Sequence, residues 1–459
     1  MGNGITRRQF LAGAAAVPLL AVNRAFAAED RPSFAFILTD DHRWDWLGCA
    51  GHPWLRTPNI DRIAREGARF TNAFVTTSLC SPSRASFLTG RYAHSHGVIN
   101  NQLPLDPAVP TFPQVLQRAG YDTALIGKWH MDGQEGPQPG FSRWVSPKGQ
   151  GLYHDPMFNI DGRNVETPGY FTDIVTKYAV EWLRQPRKSP FCLYLAHKAV
   201  HGNFECAVRH SKLYSDIQFT PRANINDTRE GKPQWVRNAK RFPPGSEDYA
   251  ALVQRVKDYS RTLMAVDESV GRILRTLEEL GVIDSTVVVF AGDNGFFFGE
   301  HGLLDKRAAY EESIRIPLLM RYPRLIRPGS LIEPIALNID MCPTFLDLAG
   351  IELPKGVEGR SWRPILSGRK TGWRGDFLYE YFYDSEAKKR PPMRGVRTER
   401  WKYITYPDSD NCAELYDLKN DPLEMRNLAG EPSAAGVAAE MKARMAEFGK
   451  GADHGSIPA

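Results

Sequence analysis

Two short apolar runs, far apart in the chain, each end in acidic or amide side chains, and this pairing constrains the fold strongly. Residues 33–38 lead directly into Asp40 and Asp41, and residues 286–291 lead into Asp293 and Asn294. Short runs without an internal polar residue are typical of strands buried in a parallel sheet. We therefore predict two buried strands whose C-terminal ends carry these oxygen-bearing side chains.

Predicted helices and strands alternate along most of the chain, which favours a large, mostly parallel sheet with helices on both faces. The other predicted strands are 123–126, 191–195 and 317–320, and the predicted helices are 57–66, 112–119, 170–183, 252–280 and 340–349. After residue 358 the pattern changes to short strand-like runs at 377–383, 393–398, 401–406 and 415–418, followed by a helix at 434–448. We predict an α/β main domain at 28–358 and a C-terminal α+β subdomain at 359–459, built on a smaller antiparallel sheet with a helix.

The first 27 residues have the pattern of an export signal. The run Thr6-Arg7-Arg8-Gln9-Phe10-Leu11 resembles the twin-arginine motif, an apolar stretch follows it, and 25–27 offers a small-residue cleavage site. The apolar stretch is too short to span a bilayer well, and no later one is long enough. We expect a periplasmic or secreted bacterial protein that uses the twin-arginine export machinery and has no transmembrane segment when mature.

Net charge gives no sign of a nucleic-acid-binding protein, and the cysteine count limits disulfide pairing. Lys and Arg total 58 against 53 Asp and Glu. Removing Arg7, Arg8 and Arg24 with the signal leaves 55 against 53, a balance of +2 that gives no reason to expect a nucleic-acid partner. Of the six cysteines, five remain if Cys80 is chemically converted, so at least one is unpaired within a monomer.

The stretch 79–92 carries the most specific motif. It contains Cys80-Ser81-Pro82-Ser83-Arg84 and then Leu88-Thr89-Gly90-Arg91, and it predicts a short helix that starts near Cys80 and stops at Gly90. A buried, weakly reactive thiol at a helix start is the simpler interpretation. The Cys-x-Pro-Ser-Arg pattern, however, resembles the modification motif of the sulfatase family, and the resemblance runs from about residue 33 to about residue 429.

The resemblance implies a chemistry for Cys80 and for the two strand ends. In sulfatases the cysteine is oxidised to formylglycine by a formylglycine-generating enzyme, and the hydrated aldehyde is the nucleophile. Asp40, Asp41, Asp293 and Asn294 offer only oxygen ligands, which a hard cation prefers. Either pair alone suits a strand-end cap or a turn. With Cys80 they imply a Ca²⁺ site, Mg²⁺ being the alternative, that includes one formylglycine oxygen.

The same resemblance assigns roles to several basic residues. Arg84 would contact the formylglycine oxygens and His130 would act on its hydroxyls. Lys128 and Lys306 would bind the sulfate. His201 would protonate the leaving alcohol; many sulfatases have proline where Val200 stands, so His197 is the alternative. His301, in the motif that leads to Lys306, is a further expected substrate-binding residue.

Weaker similarities suggest the substrate. The stretches 92–101, 197–204 and 235–238 are similar to the glucosamine-6-sulfatase branch, which implies N-acetylglucosamine-6-sulfate in a sulfated glycan such as a glycosaminoglycan or mucin. The irregular, polar segment 202–248 is long enough to wall a sugar pocket, with Trp235 and Arg237 as candidate contacts, or it is a solvated loop. Two alternatives stay open: a phosphonate monoester or phosphodiester hydrolase of the same superfamily, and a non-catalytic glycan-binding relative with Cys80 unmodified.

Overall fold

The computed structural model of the chain describes Met1 and residues 31–131, 136–387, 390–407 and 412–449. The predicted export signal at 1–27 lies outside these ranges apart from Met1, so export and a periplasmic or secreted location stay predictions. Among the helices of the described ranges, none has both the length and the apolar character that crossing a bilayer requires.

Ten strands of the described residues form one mixed sheet, in the order β13-β2-β12-β9-β1-β8-β4-β5-β6-β7. Its members are β1 (Ser33–Thr39), β2 (Ala68–Phe70), β4 (Asp122–Gly127), β5 (Arg143–Ser146), β6 (Met157–Ile160), β7 (Arg163–Glu166), β8 (Phe191–Ala196), β9 (Thr286–Gly292), β12 (Leu318–Arg321) and β13 (Ser330–Ile332). Two small ladders join β3 (Ala73–Phe74) to β14 (Ala336–Leu337) and β10 (Phe297–Phe298) to β11 (Leu304–Asp305).

The centre of the sheet is parallel and its margins are mixed. β9, β1, β8, β4 and β5 run in the same direction, whereas β12 and β6 pair antiparallel at either side of this block. The central strands are buried on both faces, as their continuous apolar sequences predict. The carboxyl ends of the parallel strands consequently lie together at one edge of the sheet.

Helices cover both faces of the sheet. They are α1 (Pro58–Glu66), α2 (Cys80–Thr89), α3 (Ala93–His96), α4 (Phe112–Arg118), α5 (Phe171–Leu183), α6 (Gln234–Arg237), α7 (Glu247–Glu279), α8 (Glu311–Ile314), α9 (Met341–Leu348), α10 (Arg363–Leu366) and α11 (Ala435–Gly449). Alternate residues of β1 face opposite ways: Ala35 and Ile37 pack with α1, α5 and α7, and Phe34 and Phe36 pack with α2, α4 and α9. The predicted fold class is confirmed.

The C-terminal part of the chain forms the predicted smaller antiparallel sheet. Its strands are β15 (Asp376–Tyr381), β16 (Met393–Thr398), β17 (Trp401–Thr405) and β18 (Glu414–Asp417), in sequential order. The helix α11 covers one face, where Met441 packs against Val396 and Leu415. The other face shares a hydrophobic cluster with the main domain through Phe377 and Phe74. The domain boundary at 358/359 stays a prediction.

Prediction from sequence missed the short marginal strands. β5, β6 and β7 have only four residues each, and all of β7 is exposed, so apolar periodicity gives little signal there. The segment 202–248, predicted to be irregular, contains 3₁₀ turns at Val208–His210 and Ala223–Asn226 and the single turn α6.

One buried histidine fixes the helix that begins at Cys80. His96, in α3, is 3% exposed; its Nδ1 accepts a hydrogen bond from the Val98 amide at 3.1 Å, and its Nε2 lies 3.1 Å from the Ser86 hydroxyl in α2. Since Nδ1 is an acceptor, the ring is neutral and Nε2 carries the proton. Burial, with the nearby His94, lowers the pKa of His96 to about 3.

This depressed pKa predicts a loss of stability in acid. The unfolded chain binds a proton at His96 below the ordinary histidine pKa of about 6.5, whereas the folded chain does not, so the stability present at pH 7 is lost as the pH falls toward 3. By pH 5 the cost is about 2 kcal/mol. Melting temperatures of wild type and His96→Gln at pH 7, 6 and 5 should therefore converge or cross as the pH falls. Parallel profiles would show that His96 does not contribute.

Candidate active site

Four adjacent parallel strands deliver polar side chains to one edge of the sheet. β9, β1, β8 and β4 are consecutive neighbours, and the chain leaves each of them at its carboxyl end. Immediately beyond these ends lie, in that strand order, Asp293 and Asn294; Asp40 and Asp41; His197, Lys198 and His201; and Lys128 and His130. The sheet therefore brings together residues that are far apart in the sequence.

Cys80 lies against this edge as the first residue of α2. Leu79 is extended and Gly90 adopts the left-handed conformation that ends the helix, as the sequence predicts. The side chain of Cys80 is fully buried, and its Sγ is 3.4 Å from Oδ1 of Asp40. Burial, with the Asp40 carboxylate, raises the pKa of the Cys80 thiol well above its usual range. The unmodified thiol consequently stays protonated and is a poor nucleophile.

Three carboxylates form a compact, buried group with Cys80. Ligand atoms of Asp40, Asp41, Asp293 and Cys80 all lie within 4.8 Å of one another. The Asp41 amide donates to Oδ1 of Asp293 at 2.9 Å, which locks the ends of β1 and β9 together. Burial raises the pKa of Asp41 to about 7 although Lys306 opposes the shift, and burial with Asp40 also raises the pKa of Asp293. A bound cation would offset the mutual repulsion of these carboxylates.

The donor set fits a hard divalent cation. Nδ2 of Asn294 donates to Oδ1 of Asp41 at 2.7 Å, while Oδ1 of Asn294 is buried with no hydrogen-bond donor among the described residues. A buried amide oxygen without a donor is a ready ligand for Ca²⁺ or Mg²⁺. Asp40, Cys80 and His201 form a second close group that includes softer ligands. Oxygen atoms nevertheless dominate the combined set, which favours the hard cation.

Three buried cations balance the three carboxylates. Arg84 donates from Nε to Asp293 at 2.9 Å, from Nη2 to Asp40 at 3.2 Å and from Nη1 to the Lys128 carbonyl at 2.7 Å. Lys128 reaches Asp40 and the side-chain carbonyl of Gln150, and Lys306 reaches Asp41. Burial works against the charge of Lys306, but the combined negative charge of Asp41 and its acidic neighbours holds the pKa of this lysine well above its ordinary value.

Two histidines border the carboxylate group. His201 Nε2 lies 4.0 Å from Oδ2 of Asp41, and the side chain is 22% exposed. His130 is almost fully buried. Burial lowers the pKa of both rings well below the ordinary value, reinforced by Lys306 at His201 and by Lys128 at His130. Both rings are therefore neutral before a negatively charged substrate enters.

The structure separates His201 from its alternative. His197 is fully buried beneath the strand end, with Nε2 facing the Ser269 hydroxyl of α7 at 3.4 Å. Its surroundings are those of a core histidine, and burial lowers its pKa to about 3. His201, by contrast, faces Asp41 and retains access to solvent. The geometry favours His201 as the residue that meets a substrate.

Two predicted substrate-binding residues are not brought into this group. His301 is fully buried, pairs with Asp227 through Nδ1 at 2.6 Å and stacks on the ring of Tyr310 at 4.5 Å. Arg237 is exposed and donates to the Lys232 carbonyl at 2.7 Å, within its own segment. Among the contacts that the described residues make, neither reaches the carboxylates or Cys80.

Sequence reasoning also missed residues that support the group. Tyr259 donates its hydroxyl to the Asp41 carbonyl at 2.8 Å and accepts from the Arg43 amide at 3.0 Å. It occupies one position of the apolar stripe of α7, so periodicity marks it only as core. Gln150 stands in a glycine-rich loop after β5, where no motif or periodicity singles it out.

Comparison with known proteins finds sulfatases that match nearly the whole chain. The family model described as "Sulfatase" matches residues 32–351, and that described as "N-sulphoglucosamine sulphohydrolase, C-terminal" matches residues 299–451. An N-acetylglucosamine-6-O-sulfatase of Bacteroides thetaiotaomicron is 36% identical, covering 95% of this chain and 90% of that protein. The human N-acetylglucosamine-6-sulfatase is 30% identical over 88% of this chain and 82% of its own.

Solved structures of related hydrolases superpose on most of the chain. A structure described as a complex with its substrate D-glucosamine-2-N,6-O-disulfate superposes with a TM-score of 0.85 at 34% identity, covering 92% of this chain and 98% of that one. The phosphonate monoester hydrolase of Agrobacterium radiobacter superposes with a TM-score of 0.75 at 25% identity, covering 91% and 95%.

Removal of one carboxylate should strongly weaken cation binding. We expect wild type to bind one Ca²⁺ per chain, measured by isothermal titration after chelation. Asp293→Asn should weaken binding by more than the roughly 10–100-fold that outer-shell changes cost. The control is Asp122→Asn, which removes the same charge from a carboxylate that pairs with Arg187 at the start of β4, the end of that strand away from the group. Equal losses in both variants would indicate general electrostatics instead of ligation.

Proposed function

Because the chain belongs to the sulfatase family, and is thus a sulfuric ester hydrolase, we propose that it removes the 6-sulfate of N-acetylglucosamine units in an anionic glycan. The observation that carries the proposal is the position of Cys80. It is buried at the start of α2 with its Sγ 3.4 Å from Asp40, and three buried carboxylates and three buried cations surround it. The substrate rests on the N-acetylglucosamine-6-sulfatases that the chain resembles.

Two additions complete the proposed centre. Conversion of Cys80 to formylglycine by a formylglycine-generating enzyme supplies a hydrated aldehyde as the nucleophile and a second hydroxyl for release of sulfate. A Ca²⁺ ion held by Asp40, Asp41, Asp293 and Asn294, with Mg²⁺ as the alternative, supplies positive charge against the sulfate oxygens. The raised pKa of the unmodified Cys80 thiol supports the need for conversion, since a buried neutral thiol cannot attack a sulfate ester.

The buried cations orient and stabilise the sulfate group. Lys128 and Lys306 lie at different carboxylates, Asp40 and Asp41, so they can hold different oxygens of one sulfate group. Both side chains are shielded from water, where fixed positive charge stabilises a developing negative charge far more than in solvent. Arg84 is held by Asp40 and Asp293 on the Cys80 helix and keeps its guanidinium beside the nucleophile position.

The two histidines move protons. His201 presents Nε2 toward Asp41 and is partly exposed, a position suited to the leaving-group oxygen of a bound sugar. The negative charge of a bound sulfate ester raises the proton affinity of a nearby imidazole, so His201 can gain its proton as substrate binds. His130, on the Lys128 side, accepts the proton that is lost when sulfate is released.

The substrate assignment is tested with a panel of sulfated sugars. We expect sulfate release from N-acetylglucosamine-6-sulfate to exceed that from N-acetylgalactosamine-4-sulfate, N-acetylgalactosamine-6-sulfate and a phenyl phosphonate monoester. Cys80→Ala should lose at least about a thousandfold in kcat, as expected for loss of a nucleophile. Cys206→Ala is the control, and mass spectrometry of the wild-type Cys80 peptide should show the aldehyde. Faster turnover of the phosphonate would favour the phosphonate hydrolase alternative, and a wholly unmodified Cys80 in active protein would sink the formylglycine mechanism.

The role of His201 is tested through the leaving group. In His201→Ala, kcat on N-acetylglucosamine-6-sulfate should fall by about 10²–10⁴ because the sugar alkoxide needs a proton. On 4-nitrophenyl sulfate the loss should be much smaller, since nitrophenolate leaves without protonation. His154→Ala, which changes an exposed histidine outside the group, serves as the control. Equal losses on both substrates would remove His201 from the proton-donor role.

A further inference from the structure

One buried cation at the active-site edge has no carboxylate partner. Lys198 follows β8 and is only 6% exposed, yet among the described residues its ammonium makes no ion pair or hydrogen bond. Within the described part of the chain, the close partner of this ammonium is the ring of Tyr153, whose centroid lies 4.8 Å from Nζ. The other buried cations of the centre, Arg84, Lys128 and Lys306, each contact a carboxylate.

Backbone contacts place Lys198 beside the catalytic residues. The Asp40 amide donates to the Ala199 carbonyl at 3.0 Å, and the Val200 amide donates to the Asp40 carbonyl at 2.8 Å, so the loop after β8 is tied to the metal-ligand segment. The His201 amide in turn donates to the Lys198 carbonyl at 3.0 Å. Lys198 therefore belongs to the same tight loop as His201.

The aromatic partner ties Lys198 to the same side of the centre as Lys128. Tyr153 donates its hydroxyl to the His201 carbonyl at 2.8 Å, and it lies three residues after Gln150, which accepts from Lys128. Burial and the charge of Lys128 lower the pKa of Lys198 to about 8, while Asp40, Glu205 and Asp41 only partly offset them. The position is thus electrostatically undersatisfied without an added anion.

We propose that the Lys198 ammonium binds a second oxyanion of the substrate, a sulfate or carboxylate other than the sulfate group that is cleaved. This inference rests on the proposed function and deepens it, because it makes the enzyme selective for sugars that carry more than one negative charge. A cation without an anionic partner, nine-tenths buried in the same loop as His201, is costly in the free protein and is neutralised when a doubly charged substrate binds. The oxyanion has two sources: an N-sulfo group on the same ring, or the carboxylate of an adjoining uronic acid.

The test compares three substrates that share the 6-sulfate. They are N-acetylglucosamine-6-sulfate, glucosamine-2-N,6-O-disulfate, and a disaccharide in which 6-sulfated N-acetylglucosamine adjoins a uronic acid. Lys198→Met should lower kcat/KM on one of the doubly charged substrates, relative to the first, by roughly ten- to a hundredfold. The loss should appear as a raised KM with kcat largely retained. The substrate that is affected identifies the source of the oxyanion.

Three further variants keep the result unambiguous. Lys148→Met removes the same charge from an exposed lysine two residues before Gln150 and should leave the ratios as in wild type. Lys198→Gln is the second substitution if Met lowers the melting temperature, and Lys198→Arg should restore part of the ratio.

Two outcomes would overturn the inference. Losses of equal size on all three substrates would assign Lys198 to the cleaved sulfate or to support of Tyr153, and unchanged kcat/KM on all three would leave it no role in substrate binding. If wild type hydrolyses an aryl sulfate but none of the three sugars, the proposed substrate itself fails and this inference falls with it.

Discussion

The structure depends on the burial of six charged side chains, three carboxylates and three cations, at a single edge of the sheet. Asp40, Asp41 and Asp293 are almost completely shielded from solvent, and so are the three cations that face them. Such a group is stable only when every partner is present, because removing one charge leaves its counterpart buried and unpaired. The strand ends of β9, β1 and β4, the start of α2 and the segment that ends at Lys306 must therefore all assemble together.

A second layer of contacts holds this edge from the face of the sheet that α7 covers, opposite to α2. Tyr259 of α7 bridges the Asp41 carbonyl and the Arg43 amide. Arg43 is itself buried and pairs with Asp45 at 2.9 Å and with Glu300, which lies six residues before Lys306. The backbone of the carboxylate segment is thus held by the long helix, and the lysine segment is tied to it through an ion pair.

The sequence was sufficient for the parallel core and for the residues around Cys80. Buried strands have continuous apolar runs, and the residues that follow them must share an edge, so the pattern alone predicts that Asp40 and Asp293 lie together. The sequence did not predict that Gln150 and Lys198 lie beside the site, because their positions depend on how the loops after neighbouring strands meet. It also suggested His301 and Arg237 as substrate contacts, and both stay predictions. Their described contacts are to Asp227 and to the Lys232 carbonyl, away from the carboxylates and Cys80, so any contact with the substrate would be to the sugar rather than to the cleaved sulfate.

The complete burial of Cys80 has a consequence for how active protein is made. For the conversion proposed above, the oxidising enzyme must reach a side chain that has no exposed surface once the strand ends and α2 have closed around it. Oxidation and folding therefore compete in time, and a chain that folds first retains its thiol. The active fraction in a preparation is then set by the relative rates of these two events, so two samples of identical sequence and identical fold can differ in specific activity.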